Sequence, residues 1–339
     1  MTFLLILATS ASFKSFWNLI NVVQVLAYMR FYARLPAFMH ELLVNLESSV
    51  TLKPITDKIF DFGKTRSELV NQTLSDENLK ELGITDSNML KGLGVFSILP
   101  LIYNICVGIY FLLSIIKVRD SVKVKSTKKW LKHKLFFNSA ISYLLVGNLK
   151  WTIYAMGFSL YQNNKGFVDL FKATTYHLLI SFIALYPLLF MYFLFKYQDK
   201  LDIARIKAKY NSAYDGIYTE SKYALLYSTM FCLRRFYLVL INVTFNASCP
   251  WTHFAQNQYL LKIFSFLTLQ TAYLAYIYMT RPHIISLYNW LELSNELALV
   301  LLAYIIIAYS DIFGQTTCNL LAEVIAFLIL VINFGFLIV

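Results

Sequence analysis

Long apolar runs, each about the length of a bilayer crossing, alternate along this chain with short segments rich in Lys and Arg. A helix rising about 1.5 Å per residue needs about 20 mostly apolar residues to cross a hydrocarbon core. Runs of that kind lie near residues 15–33, 93–117, 136–160, 173–196, 222–246, 257–279, 287–310 and 318–338. They are too long for strands and lack the alternation of a membrane barrel. The pattern predicts an all-α integral membrane protein, a polytopic bundle of about eight transmembrane helices.

The segments between the runs divide the chain. Residues 1–34 hold an apolar N-terminal stub, FLLILA, and the first transmembrane helix. The stub is too short to span and lacks the positive flank of a signal peptide. Asn18, Asn21 and Gln24 recur at every third position, which turns a polar face of that first helix inward. Residues 35–92 form a small extracytosolic helical cap: Leu35-Pro36 breaks the first helix, AFMHELLVNLESSV has amphipathic spacing, and Ser75 caps a second helix led by Asp76 and Glu77. Residues 93–339 are the seven-helix transmembrane bundle, with basic cytosolic loops at 117–135 and 196–222. The last run stops at Val339 without a polar tail, so the chain reads as cut from a longer membrane protein or as unusually minimal.

Charge orients this plan. Lys117, Arg119, Lys123, Lys125, Lys128, Lys129, Lys132 and Lys134 face the single acid Asp120 between the second and third runs, which makes that loop cytosolic. Alternation then places Lys196, Lys200, Arg205, Lys207 and Lys209, and the short Arg281/His283 connection, on the same side, with both termini cytosolic. The same loop is a candidate surface for anionic cytosolic-leaflet lipids through Lys123, Lys125, Lys128, Lys129 and Lys132, with Trp130 as an interfacial anchor. Topology signalling needs the same charges. Ser121, Ser126 and Thr127 are candidate phosphorylation sites that would modulate such binding.

Composition agrees with the pattern: hydrophobic residues make up 58% of the 339 and charged residues 14%. The formal net charge of +11 is accounted for by topology, so no nucleic-acid partner is expected. With 28 Phe and 24 Tyr against 11 Gly and 6 Pro, the aromatic content reflects coding bias as much as function.

Against that background, Arg234 and Arg235 stand out in the middle of the 222–246 run. A charge at bilayer depth costs about 2.5–3.5 kcal/mol on insertion scales and needs an inward-facing partner. Counting about 1.5 Å per residue from the cytosolic side puts both arginines roughly 18–20 Å deep, Lys150 about 21 Å and Glu296 about 13–15 Å. Glu323, on the descending eighth run, falls at roughly 22 Å on the same ruler. The matching depths predict a buried polar seam of Lys150, Arg234, Arg235, Glu292, Asn295, Glu296 and Glu323, with Arg234 or Arg235 on Glu296 and Lys150 on Glu323 or Glu296. Such a seam is either a structural lock between helices or the lining of an ion or gating pathway.

Cys106 and Cys232 lie inside runs and read as packing residues, whereas Cys249 and Cys318 share the non-cytosolic side and are a candidate disulfide. Asn71, in the cap, is a candidate glycosylation site; the sequons at Asn242 and Asn246 lie too near the bilayer. His40, His133, His177, His253 and His283 show no metal-ligand spacing, and His177 is expected to be the only buried one. Phosphate-loop, nucleophile-elbow and dinucleotide signatures are absent from the sequence. No catalytic residue, metal or cofactor is expected, and the chain reads as a non-enzyme.

FWNLINVVQVL, LPAFMHELL, ENLKELGI with LKGLG, KLFFNSAISYLL, the LRRFYLVLINV run and TRPHIISLYNWLELSNELALVLLAY, in that order, resemble the multi-pass region of large protist surface proteins of the transient receptor potential-like, polycystin-related type. The resemblance covers most of the chain. It implies that the Arg-Arg helix packs near the Asn-Glu helix, and it implies a cation-conducting or sensing subunit of a plasma or ciliary membrane. The sequence departs from that pattern in its connections: YSDIFGQTTCNLL and NASCPWTHFAQNQY are short for a pore helix and filter, and the large extracellular repeat region is not in this chain. A non-conducting anchor is therefore the second expectation, with other subunits of a membrane assembly or further copies of this chain as partners.

Overall fold

A computed structural model describes residues 21–28, 140–161, 167–245 and 258–309, together with isolated positions between 41 and 112. Among the described residues the fold is all-α, with no strand and one isolated antiparallel bridge, Ile217 to His283. The helices are α1 (Ala140–Tyr161), α2 (Phe167–Lys196), α3 (Ala204–Tyr210), α4 (Lys222–Leu225), α5 (Tyr227–Thr244), α6 (Gln258–Thr280) and α7 (Ser286–Tyr309), and residues 21–28 are helical as well.

Three boundaries differ from the hydropathy pattern. The run expected at 173–196 begins earlier, at Phe167, because helical hydrogen bonding continues past the stretch that would cross hydrocarbon. The run at 222–246 divides at Leu226 into the single turn of α4 and the long α5, with Ser221 Oγ capping α4 by accepting the Ala224 N–H at 3.4 Å. The 196–222 segment, expected as a loop, holds α3 and two 3₁₀ turns, and its Leu201, Ala213 and Tyr214 pack with Leu194 and Leu225 in a separate buried cluster. Tyr214 donates to the Leu201 carbonyl at 2.8 Å and Ser228 Oγ to the Ala213 carbonyl at 2.6 Å, so this segment is tied to the foot of α5.

The bundle packs α6 along α7 and α1 against α2 and α5, while α5 also meets α2 and α6. Leu26, Leu149, Leu238, Val239, Phe266 and Leu299 form its fully buried apolar centre. Pro187 lies inside α2, and its carbonyl accepts the Thr229 hydroxyl of α5 at 3.2 Å. Beside it, Asn148 of α1 donates to the Tyr186 hydroxyl at 2.8 Å, and that hydroxyl reaches Cys232 Sγ of α5 at 3.0 Å. Cys232 is buried and free, in keeping with a packing role.

Charged side chains are buried within this apolar centre, and large apolar side chains are exposed outside it. Arg235 is the largest fully buried side chain among those described. Phe171, Leu178, Phe182, Leu185 and Leu189, spaced for one helix face, are all exposed on α2, as are Trp290, Leu297, Leu301 and Tyr304 on α7. Among the described residues one helix, over Thr174–Lys196, is long and apolar enough to cross a membrane, and most of it faces outward.

Candidate functional site

Helical spacing builds the site. Tyr227, Phe231 and Arg234 stand on one face of α5, Glu292, Asn295, Glu296 and Leu299 on one face of α7, and Gln270 and Tyr273 one turn apart on α6. These three faces meet in the bundle interior, where Asn21 of the first helical segment joins them.

Arg234 is paired with Glu296: Nη1 lies 2.5 Å from Oε1, with both side chains about 5% exposed. The guanidinium also sits over the Tyr273 ring, 4.1 Å from its centroid, so a cation–π contact covers one of its faces. The other Glu296 oxygen accepts the Gln270 amide. Among the described residues Arg234 Nε, on the other edge of the guanidinium, has no acceptor.

Arg235 solves the burial problem differently. Its Nη1 points to the Leu145 and Val146 carbonyls of α1 at 3.4 and 3.2 Å, and its Nη2 to Asn21 Oδ1 at 2.9 Å and Asn21 O at 3.4 Å. Phe231 covers the guanidinium at 4.2 Å. Among the described residues, backbone and amide oxygens and no carboxylate therefore hold this second charge, and they bind α5 to α1 and to residue 21. Of the two arginines that sequence left open as partners of Glu296, Arg234 makes the pair.

Glu292 lies one turn nearer the start of α7. Its Oε1 accepts the Tyr227 hydroxyl at 2.7 Å and the Tyr273 hydroxyl at 3.2 Å, and its Oε2 meets His283 Nε2 at 2.8 Å. A carboxylate only accepts, so Nε2 carries the imidazole proton. His283 is fixed from several sides: its backbone N–H donates to Asn289 Oδ1 at 2.9 Å, Asn289 Nδ2 returns to its carbonyl at 2.7 Å, and Tyr227 packs edge-on at 4.8 Å. The turn that delivers it is strained, with Arg281 at φ 41°, a left-handed conformation that a non-glycine residue adopts only when the surroundings compel it. Tyr218 N–H to Pro282 O at 2.9 Å and Ile284 N–H to Gly216 O at 3.0 Å then join this turn to the segment before α4.

Two expectations about histidine are corrected. His177 is exposed, though it does reach a neighbouring helix through Ser159 Oγ, 3.1 Å from Nε2. His283, expected in an open connection, is buried, because the Arg281 turn folds it back onto α5 and α7. Asn242 is also buried and donates to the Tyr28 hydroxyl at 3.2 Å, which leaves no room for a glycan there.

Of the expected seam, Arg234, Glu292, Asn295 and Glu296 surround one cavity, with Arg235 turned toward α1 and Lys150 buried on α1 one turn beyond Val146. Glu323, the candidate disulfide Cys249 and Cys318, the candidate glycan site Asn71, and the lipid-binding set Lys123, Lys125, Lys128, Lys129, Trp130 and Lys132 lie outside the described residues. Tyr227, Gln270, Tyr273 and His283 belong to the network and were not anticipated. Gln270 was the legible one, a polar amide inside an apolar run; the tyrosines were hidden by the abundance of Tyr throughout the chain.

No protein-family model, no curated protein and no solved structure matches this chain.

Proposed function

We propose that this chain is a polytopic membrane protein in which the Arg234–Glu296 network is a structural lock, and that it serves as a subunit of a cation channel or sensor resembling the transient receptor potential-like type. The observation that carries the membrane reading is the extent of exposed apolar surface on α2 and α7 beside a buried ion pair. Arginine and glutamate are buried at the centre while Phe, Leu and Tyr cover α2 and α7 outside, the arrangement that lipid solvent favours. Exposed Tyr223 of α4, Tyr278 near the end of α6 and Trp290 near the start of α7, with Tyr218 bonded to Pro282 O, are aromatic residues suited to a belt at the level of lipid headgroups.

The lock reading rests on the cross-helix contacts of the two arginines. Each arginine is held by groups from other helices, so moving α5 along its axis would break the Glu296 pair and the Asn21 and α1 contacts together. A non-conducting anchor in a larger membrane assembly is the second reading, favoured by the narrowness of the cavity between α5 and α7.

Reconstitution separates the readings. Cation flux from particles with a ring of subunits supports the channel or sensor, whereas a single copy without flux supports the anchor and overturns the first reading. Exchanging the charges, Arg234→Glu with Glu296→Arg, restores folding lost in either single variant if the pair is a lock. Single variants that fold normally and change only flux overturn the lock.

A further inference from the structure

The cavity beside the ion pair is lined by Asn21, Val22, Tyr227, Phe231, Arg234, Glu292, Asn295, Glu296 and Leu299, and it offers about 20 Å³. That space holds about one water-sized molecule, which needs two to four polar partners to be stable. Its lining is chemically specific. Glu292 and Glu296 disfavour an anion, while Arg234 turns a donor toward the same space. A water, which both accepts and donates, matches that lining and that volume.

Arg234 supplies the second, independent observation. It is about 95% buried, and its Nε proton has no acceptor among the described residues, although the residue borders this space. Buried donors of a charged group left unmatched cost more than neutral ones. Asn21, Asn295 and the Glu292 carboxylate stand on the other walls as acceptors.

We propose that this cavity is a structural hydration site, in which one water accepts from Arg234 and donates to Glu292 or an asparagine oxygen. The lock is then not dry. The two glutamates, i and i+4 on α7, are joined through Arg234 and this water, so water enters the charged layer at the junction of α5, α7 and the first helical segment. The site does not depend on whether the protein conducts.

Radiolytic hydroxyl-radical footprinting of the full chain in lipid nanodiscs tests it, because a resident water is the local source of the radical. Leu299, on the cavity wall, is expected to be modified roughly tenfold faster than Leu238 and Leu302, which are buried to a similar degree elsewhere in the same core. Val22→Ile, adding one methylene to the wall, lowers the rate at Leu299 to that of Leu238. If this variant fails to fold, Asn295→Leu, which removes a polar partner, is expected to do the same. Equal rates at the three wild-type leucines, or rates at Leu299 unchanged in a folded variant, overturn the proposal whatever the outcome of the flux measurements.

Discussion

Replacing Glu296 by Gln tests the central ion pair directly. The amide keeps the shape and a contact to Gln270, yet leaves Arg234 charged and buried with Glu292 as its nearest remaining acid. Two unit charges about 4 Å apart attract by about 4 kcal/mol at an effective dielectric of about 20. Removing one member of a buried pair costs about 3–5 kcal/mol in measured cases. We therefore expect Glu296→Gln to destabilise the protein by about 3–5 kcal/mol, a large part of the about 5–15 kcal/mol that a folded domain typically has. Removing both charges, Arg234→Met with Glu296→Leu, takes away the stranded ion and is expected to lie closer to wild type than Glu296→Gln does. The measurement is reversible unfolding in mixed micelles followed by tryptophan fluorescence, with Arg234→Met and Glu296→Leu alone completing a double-mutant cycle. A coupling energy below about 0.5 kcal/mol, the level expected of independent sites, would refute the pair as a stabilising contact.

Arg235→Lys is expected to cost about 1.5–3 kcal/mol in the same assay, since one ammonium cannot reach the α1 carbonyls and Asn21 in the fork geometry of a guanidinium. His283→Ala removes a donor from Glu292 and frees the Arg281 turn; hydrogen exchange at Tyr218 and Ile284 should accelerate, and unchanged protection would show that the turn is held without the imidazole. In the segment between α2 and α4, burial, reinforced by Asp202 and Asp215, pushes the Tyr214 phenol up to about 12. The native state then keeps a proton that the unfolded chain loses above about pH 10, so this residue's stabilisation is complete below pH 10 and is lost as the pH rises toward 12. Tyr214→Phe should remove that slope and cost about 1 kcal/mol at neutral pH by deleting the bond to Leu201; a slope that persists in the variant assigns it to another group.

Hydrophobic patterning alone determined that the chain is helical and that charges at Arg234, Arg235, Glu292 and Glu296 lie among apolar residues, because run length and helical period are local properties. It also brought Arg234 or Arg235 to the depth of Glu296, since a constant rise per residue turns position into height. Height is not azimuth. Which arginine turns to α7 and which to α1 depends on the rotation of α5 within the bundle, and side-chain packing with α1, α6 and residues 21–28 decides it. His283 shows the same limit more sharply: its sequence position says connection, and only the Arg281 turn and the Asn289 clamp carry it into the interior. The polar hydroxyls and amides that complete the network, Tyr227, Tyr273 and Gln270, carry no charge to mark them, and nothing but the meeting of three helix faces distinguishes them from the many other polar groups in these runs.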